Sequence, residues 1–86
     1  MSRKKLLRRL KEFFDMDARD REQRKDELND LLSRLKQKEL ELKALLDTEQ
    51  DENIKSEIIQ KIDVVHTQRK KGVKMLMEIR NESDSA

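Results

Sequence analysis

The stretch "ELNDLLSRLKQKELELKALLD", residues 27–47, decides the fold. Leu28, Leu35 and Leu42 stand seven apart, and Leu31 and Leu45 fall on the partner heptad position. Lys38 interrupts that second row, while Leu32 and Leu46 flank the seam and make the apolar stripe wider than a two-stranded coiled coil requires. A stripe at this spacing predicts an amphipathic α-helix with a buried face.

Downstream, "DTEQDEN" (47–53) has four acids and no apolar residue, so it is read as the turn. Thr48 followed by Asp51 resembles a capping box, and Asp51 or Asn53 could also cap the next helix. A second seam follows: Ile58, Ile62, Val65, Arg69, Gly72, Leu76 and Ile79 alternate in steps of four and three. Ile59, His66 and Val73 form another stripe beside it. Two helices joined by a short turn run antiparallel. Counting outward from the turn sets Leu42 against Ile58, Leu35 against Val65, and Leu28 near Gly72 and Val73. The same count places Asp26, Glu27 and Asp30 beside the basic "RKKGVK" of 69–74.

The composition agrees with an all-α chain. Among 86 residues there is one Gly, no Pro and no Cys, and charged residues make up 47%. Few breakers and many Leu, Lys, Arg, Glu and Gln favour long helices, and the turn vocabulary of sheets is missing. High charge with few apolar residues can also mean disorder, but 21 basic residues nearly balance 19 acids and the apolar ones keep helical spacing. So thin a core makes a lone monomer marginal and predicts self-association or a partner.

Counting outward also exposes a mismatch. Leu76 and Ile79 would face Arg24 and Arg21, so "VKMLMEI" (73–79) carries apolar surface that the hairpin cannot cover. The N-terminal arm folded back, a second copy or a binding partner could cover it. That arm, "RKKLLRRLKEFF" (3–14), places Leu6, Leu7, Leu10, Phe13 and Phe14 on one face, with six Lys or Arg against the single acid Glu12. Leu7 and Phe14 share the heptad phase of Leu28, which predicts one continuous helix from about residue 4 to 46, with bending in the polar stretch 15–27 left open.

The expected architecture is an antiparallel helical hairpin with an N-terminal amphipathic arm, pairing into a four-helix bundle as a homodimer. Its parts are the arm at 1–15, helices at 16–46 and 54–80 around a turn at 47–53, and a polar tail at 81–86. Self-association is assigned to Leu28, Leu31, Leu35, Leu42, Ile58, Ile62 and Val65. Partner binding is assigned to Leu6, Leu7, Leu10, Phe13, Phe14, Met75 and Met77, since Met pairs suit adaptable protein surfaces, although Met at helical spacing also suits ordinary core. Lys4, Lys5, Arg8, Arg9 and Lys11 form a basic surface.

Catalysis finds no footing. Nucleotide loops need several Gly, no nucleophile lies beside a base, and the absence of Cys removes thiolate chemistry. His66 follows Asp63 by three residues, the spacing of the Glu-x-x-His element of di-iron bundles, with Glu39 or Glu41 as further ligands in a dimer. A half-buried His packed beside Ile59 and Val73 accounts for it more simply, so no metal or cofactor is assigned. No apolar run reaches the ~18 residues of a membrane span, and the charges at Arg8, Arg9, Lys11 and Glu12 interrupt any signal-peptide core. The expectation is a cytoplasmic, non-catalytic adaptor or regulator acting through helix contacts. The alternative is an accessory protein that meets a membrane surface or nucleic acid through the basic arm.

Overall fold

The computed structural model describes residues 2–84, and their side chains as far as Asn81. Four helices follow one another: α1 (Arg3–Asp15), α2 (Ala18–Gln23), α3 (Lys25–Thr48) and α4 (Glu52–Asp84). The molecule is a rod of 53 × 19 × 16 Å. A 33-residue helix is about 50 Å long at 1.5 Å per residue, so α4 spans nearly all of it.

α3 and α4 form the expected antiparallel hairpin, with a tighter turn than the acidic stretch suggested. Only Glu49, Gln50 and Asp51 separate the helices. Asp51 caps α4, its Oδ1 accepting from the backbone N–H of Asn53 (2.9 Å) and Ile54 (3.3 Å). Thr48 is not the start of a capping box. It closes α3 instead, its hydroxyl donating to the Leu45 carbonyl at 3.1 Å. At the far end α4 continues through Asp84, into the segment expected as a polar tail, because no Gly or Pro interrupts it. The rest of that expected tail, residues 85 and 86, lies outside the described residues.

The expected continuous helix from residue 4 to 46 is corrected. α1 stops at Asp15, and Met16 and Asp17 are extended (ψ 152° and 171°), which lets the chain reverse. Two side chains stabilise this reversal. Asp17 Oδ1 accepts the Asp20 N–H at 2.9 Å and caps α2. Arg21 turns back and donates from Nε to the Phe13 carbonyl (3.0 Å) and from Nη2 to the Phe14 carbonyl (2.7 Å). Those carbonyls belong to the last turn of α1, where helical partners run out. α2 then leads into α3 through Arg24, which bends the axis while the Leu28 N–H still reaches the Arg24 carbonyl.

Folded back, α1 becomes the third helix of the core. Leu6, Leu10 and Phe13 are at most 1% exposed and share one cluster with Leu28, Leu31, Leu32, Leu35, Val65, Met75, Leu76 and Ile79. Of the apolar surface at 73–79 that the hairpin could not cover, Met75, Leu76 and Ile79 are therefore buried with the chain's own arm, while Val73 and Met77 stay exposed. Burial of three such side chains contributes roughly 1.5–3 kcal/mol each. At Gly72 side chains of α1 and α3 pack closely onto the α4 backbone. A Cβ built there would lie 2.5 Å from Leu32 Cδ2 and 3.1 Å from Leu10 Cδ1. A Gly inside a helix costs about 1 kcal/mol against Ala, which close packing here offsets.

Candidate functional site

The hairpin has two sides, and α1 occupies one of them. Arg3 and Leu7 border a groove with Glu57, Gln60, Lys61 and Val64, while Phe14 borders another with Lys71, Met75 and Glu78. Thus α1 runs in the same direction as α4, its first turns toward residues 57–64 and its last toward residues 71–78. Arg9 ties it to α3, its Nε donating to Glu27 Oε1 at 2.8 Å. Arg9 and Lys71 also lie over the rings of Phe13 and Phe14, each 5.1 Å from the centroid. The Arg9 guanidinium is held above its ordinary value by its bonds to Glu12 and Glu27.

On the other side the hairpin is open. Ile59, His66, Val73 and Met77 follow one stripe of α4, at steps of seven, seven and four. Ile59 is 53% exposed, Val73 37% and Met77 57%. At the centre of this side lies the one buried charge of the described residues, Glu39, which is 2% exposed. Its carboxylate accepts from His66 Nδ1 at 2.6 Å and from Arg69 Nε at 3.1 Å. Arg69 Nη2 adds a contact at 2.9 Å. Burial pushes the Glu39 carboxyl upward, but the His66 hydrogen bond and the Arg69 charge together outweigh it and hold the group below the usual carboxylate range. No buried side-chain nitrogen or oxygen among the described residues is left without a partner.

The residues expected as sites are distributed differently from the sequence reading. Of the expected partner-binding face, Leu6, Leu10, Phe13 and Met75 are buried in the chain's own core, Leu7 and Phe14 are half-buried against it, and Met77 alone is exposed. The arm's apolar face is thus turned inward, because the reversal at Met16–Asp17 lays it on α3 and α4. Of the expected self-association seam, Leu28, Leu31, Leu35, Ile58 and Val65 are buried inside a single chain, with Leu42 and Ile62 partly so. Lys4, Lys5, Arg8 and Lys11 stay exposed, whereas Arg9 is engaged with Glu27.

The expected charge match between 26–30 and 69–74 is also corrected. Glu27 bonds Arg9 of α1, Asp30 bonds Arg34, and Arg69 reaches Glu39. Leu32, rather than Leu28, sits against Gly72, so the helices are displaced by about one turn from the simple count. Asp63 is exposed, and His66 turns to Glu39 instead. Among the described residues no three His, Cys, Asp or Glu side chains gather into a metal-holding group.

The Glu39 cluster escaped the sequence reading as a structural element, since a Glu among Lys looks like surface. Its trace was Arg69, a cation on the apolar seam that demands a buried counter-charge. No helix of the described residues is long and apolar enough to cross a membrane. Comparisons with family models, with curated proteins and with solved structures returned no match.

Proposed function

We propose that the chain is a non-catalytic protein-interaction module that acts through helix–helix contacts on its hairpin. One observation carries this reading. Among the described residues, the large apolar side chains left exposed are Leu40, Leu45, Ile54, Ile59, Val64, Val73 and Met77, and all seven belong to α3 or α4. An interaction helix keeps apolar residues outward, where a second helix can cover them. The contact face is therefore shifted from the arm to the hairpin. Pairing of two hairpins is one arrangement that would cover these residues.

Membrane or nucleic-acid binding through the arm is the weaker reading. An interfacial helix needs its apolar face free, and here Leu6, Leu10 and Phe13 would first have to leave the core.

Photo-crosslinking tests the proposal. A photoreactive side chain at Ile59 or Met77 should yield a discrete protein adduct in cells, whereas one at Lys11, on the outer face of α1, should not. An adduct confined to Lys11, or none at any of the three, would refute the hairpin as the contact surface.

A further inference from the structure

The reversal that lays α1 on the hairpin depends on two backbone angles. Met16 and Asp17 both have φ of −75°, close to the helical value, and differ from helix only in ψ, 152° and 171°. Turning those two ψ angles would run α1 straight into α2. From there α2 already leads into α3, with a bend at Arg24 and the Leu28 N–H on the Arg24 carbonyl. The Phe13 and Phe14 carbonyls, which now accept from Arg21, would instead accept the N–H groups of Asp17 and Ala18 four residues on.

The helical phase continues across this break. Leu10 and Phe13, buried in α1, stand eighteen residues before Leu28 and Leu31, buried in α3. Eighteen residues are five whole turns at 3.6 residues per turn, so in a straight helix all four lie on one face. A chain that reverses between two helices places no such demand on their phase. Straightening would, however, carry α1 off its own hairpin. Leu6, Leu10 and Phe13 would be bare, and so would the surface of α3 and α4 that they cover. A second copy in the same state offers each of these surfaces its match.

We propose that two copies of the chain exchange α1, Met16 and Asp17 straightening so that Leu6, Leu10 and Phe13 of each copy pack on α3 and α4 of the other. The contacts α1 makes in the single chain are then remade between chains, which is why exchange of an identical element is a low-cost route to a dimer. The hinge also suits the crossing this requires. In the single chain α1 runs antiparallel to α3, Leu10 meeting Leu32 over Gly72. Carried outward between two chains, that register lays residues 15–25 of the copies against each other and sets Asp17 of one opposite Arg24 of the other. The stretch has four acids and four bases, so it meets its own copy without net repulsion. The exchange is independent of the interaction-module reading, because it uses the inner face of α1 rather than the exposed residues of α3 and α4.

The test uses the full chain, with mass from light scattering and longest dimension from small-angle X-ray scattering over a concentration series. The exchanged dimer is joined end to end. It should measure about 90 Å, since each hairpin extends about 30 residues from the centre at 1.5 Å per residue, against 53 Å for the single rod. Arg21→Ala removes two charge-assisted bonds from the closed hinge of each chain, so the association constant should rise about ten-fold or more. Ala18→Pro should act in the opposite direction. Ala18 is the first residue of α2, where Pro is favoured, and the Asp17 before it is already extended. In a straight helix the same ring would clash with the Phe14 carbonyl and remove an N–H. Ala18→Pro should therefore keep the helicity of the single chain by circular dichroism and abolish the dimer, alone or combined with Arg21→Ala.

If the chain and Arg21→Ala both stay monomeric at every concentration, the exchange is refuted. A dimer no longer than the single rod, or one that survives Ala18→Pro, would overturn it as well. Those two results would point to pairing through the exposed faces of α3 and α4, and would leave the interaction-module reading to be decided by crosslinking at Ile59 and Met77.

Discussion

The two ends of the hairpin use similar sequence and reach different degrees of burial. From Leu28 to Leu35 and from Val65 to Ile79, three helices meet and the seam residues are almost wholly buried. Toward the turn only two helices remain, and Leu45 and Ile54 are 49% and 42% exposed. Leu28 and Leu45 both belong to heptad rows of α3, yet one is fully buried and the other is half in water. The difference is the reach of α1, whose 13 residues extend only about 20 Å along the rod. Periodicity says which face of a helix is apolar. It does not say whether a third element is long enough to cover that face.

The sharpest way to break this contrast is Phe13→Ala. Truncation of a fully buried aromatic typically costs about 3–5 kcal/mol, and Phe13 is 0% exposed. A urea midpoint nearly unchanged would mean that α1 does not belong to the core in solution.

Glu39→Gln comes next, at about 1–3 kcal/mol near neutral pH. It leaves His66 and Arg69 without their counter-charge, though both keep some access to water, which moderates the loss. The sign of the pH dependence follows from the depressed Glu39 carboxyl. Its contribution is fully present above the unfolded value of about 4.3, and it is lost as pH falls through the lower folded value. The gap between the two urea midpoints should therefore be wide at neutral pH and narrow on acidification. A gap that widens in acid would contradict the assignment.

Arg21→Ala removes the two bonds that close α1 and should cost about 1–2 kcal/mol. Amides in α1 should exchange with solvent faster, while those of α3 near the turn stay as they were. Leu45→Ala sits at the other extreme, within about 0.5 kcal/mol, as expected of a surface substitution. A penalty comparable to that of Phe13→Ala would show that the turn end of the rod is covered in solution after all.

The hairpin was legible because α3 and α4 each carry a repeating apolar stripe and the acidic stretch between them has none. The need for an additional covering element was legible too, from Leu76 and Ile79 facing arginines. The reversal after α1 was not. It uses neither Gly nor Pro, and what stabilises it is an Asp cap together with an arginine that reaches back eight residues. Charged residues at such positions resemble the exposed face of a continuous helix. The open side of the hairpin was half legible. Ile59, His66 and Val73 stood out as a stripe, but which side of α4 the arm would occupy depends on the three-dimensional path at Met16 and Asp17.

Gly72 also bears on how the helices are prevented from sliding. Two helices with heptad stripes resemble racks with evenly spaced teeth, and a slip of seven residues would mesh Leu with Ile or Val again. The notch that receives Leu32 breaks that translational symmetry, because α4 has a single Gly and a slip of one heptad would bring Val65 or Ile79 to the same place. With Leu10 entering the same notch from α1, one missing methyl group keys the axial position of three helices at once.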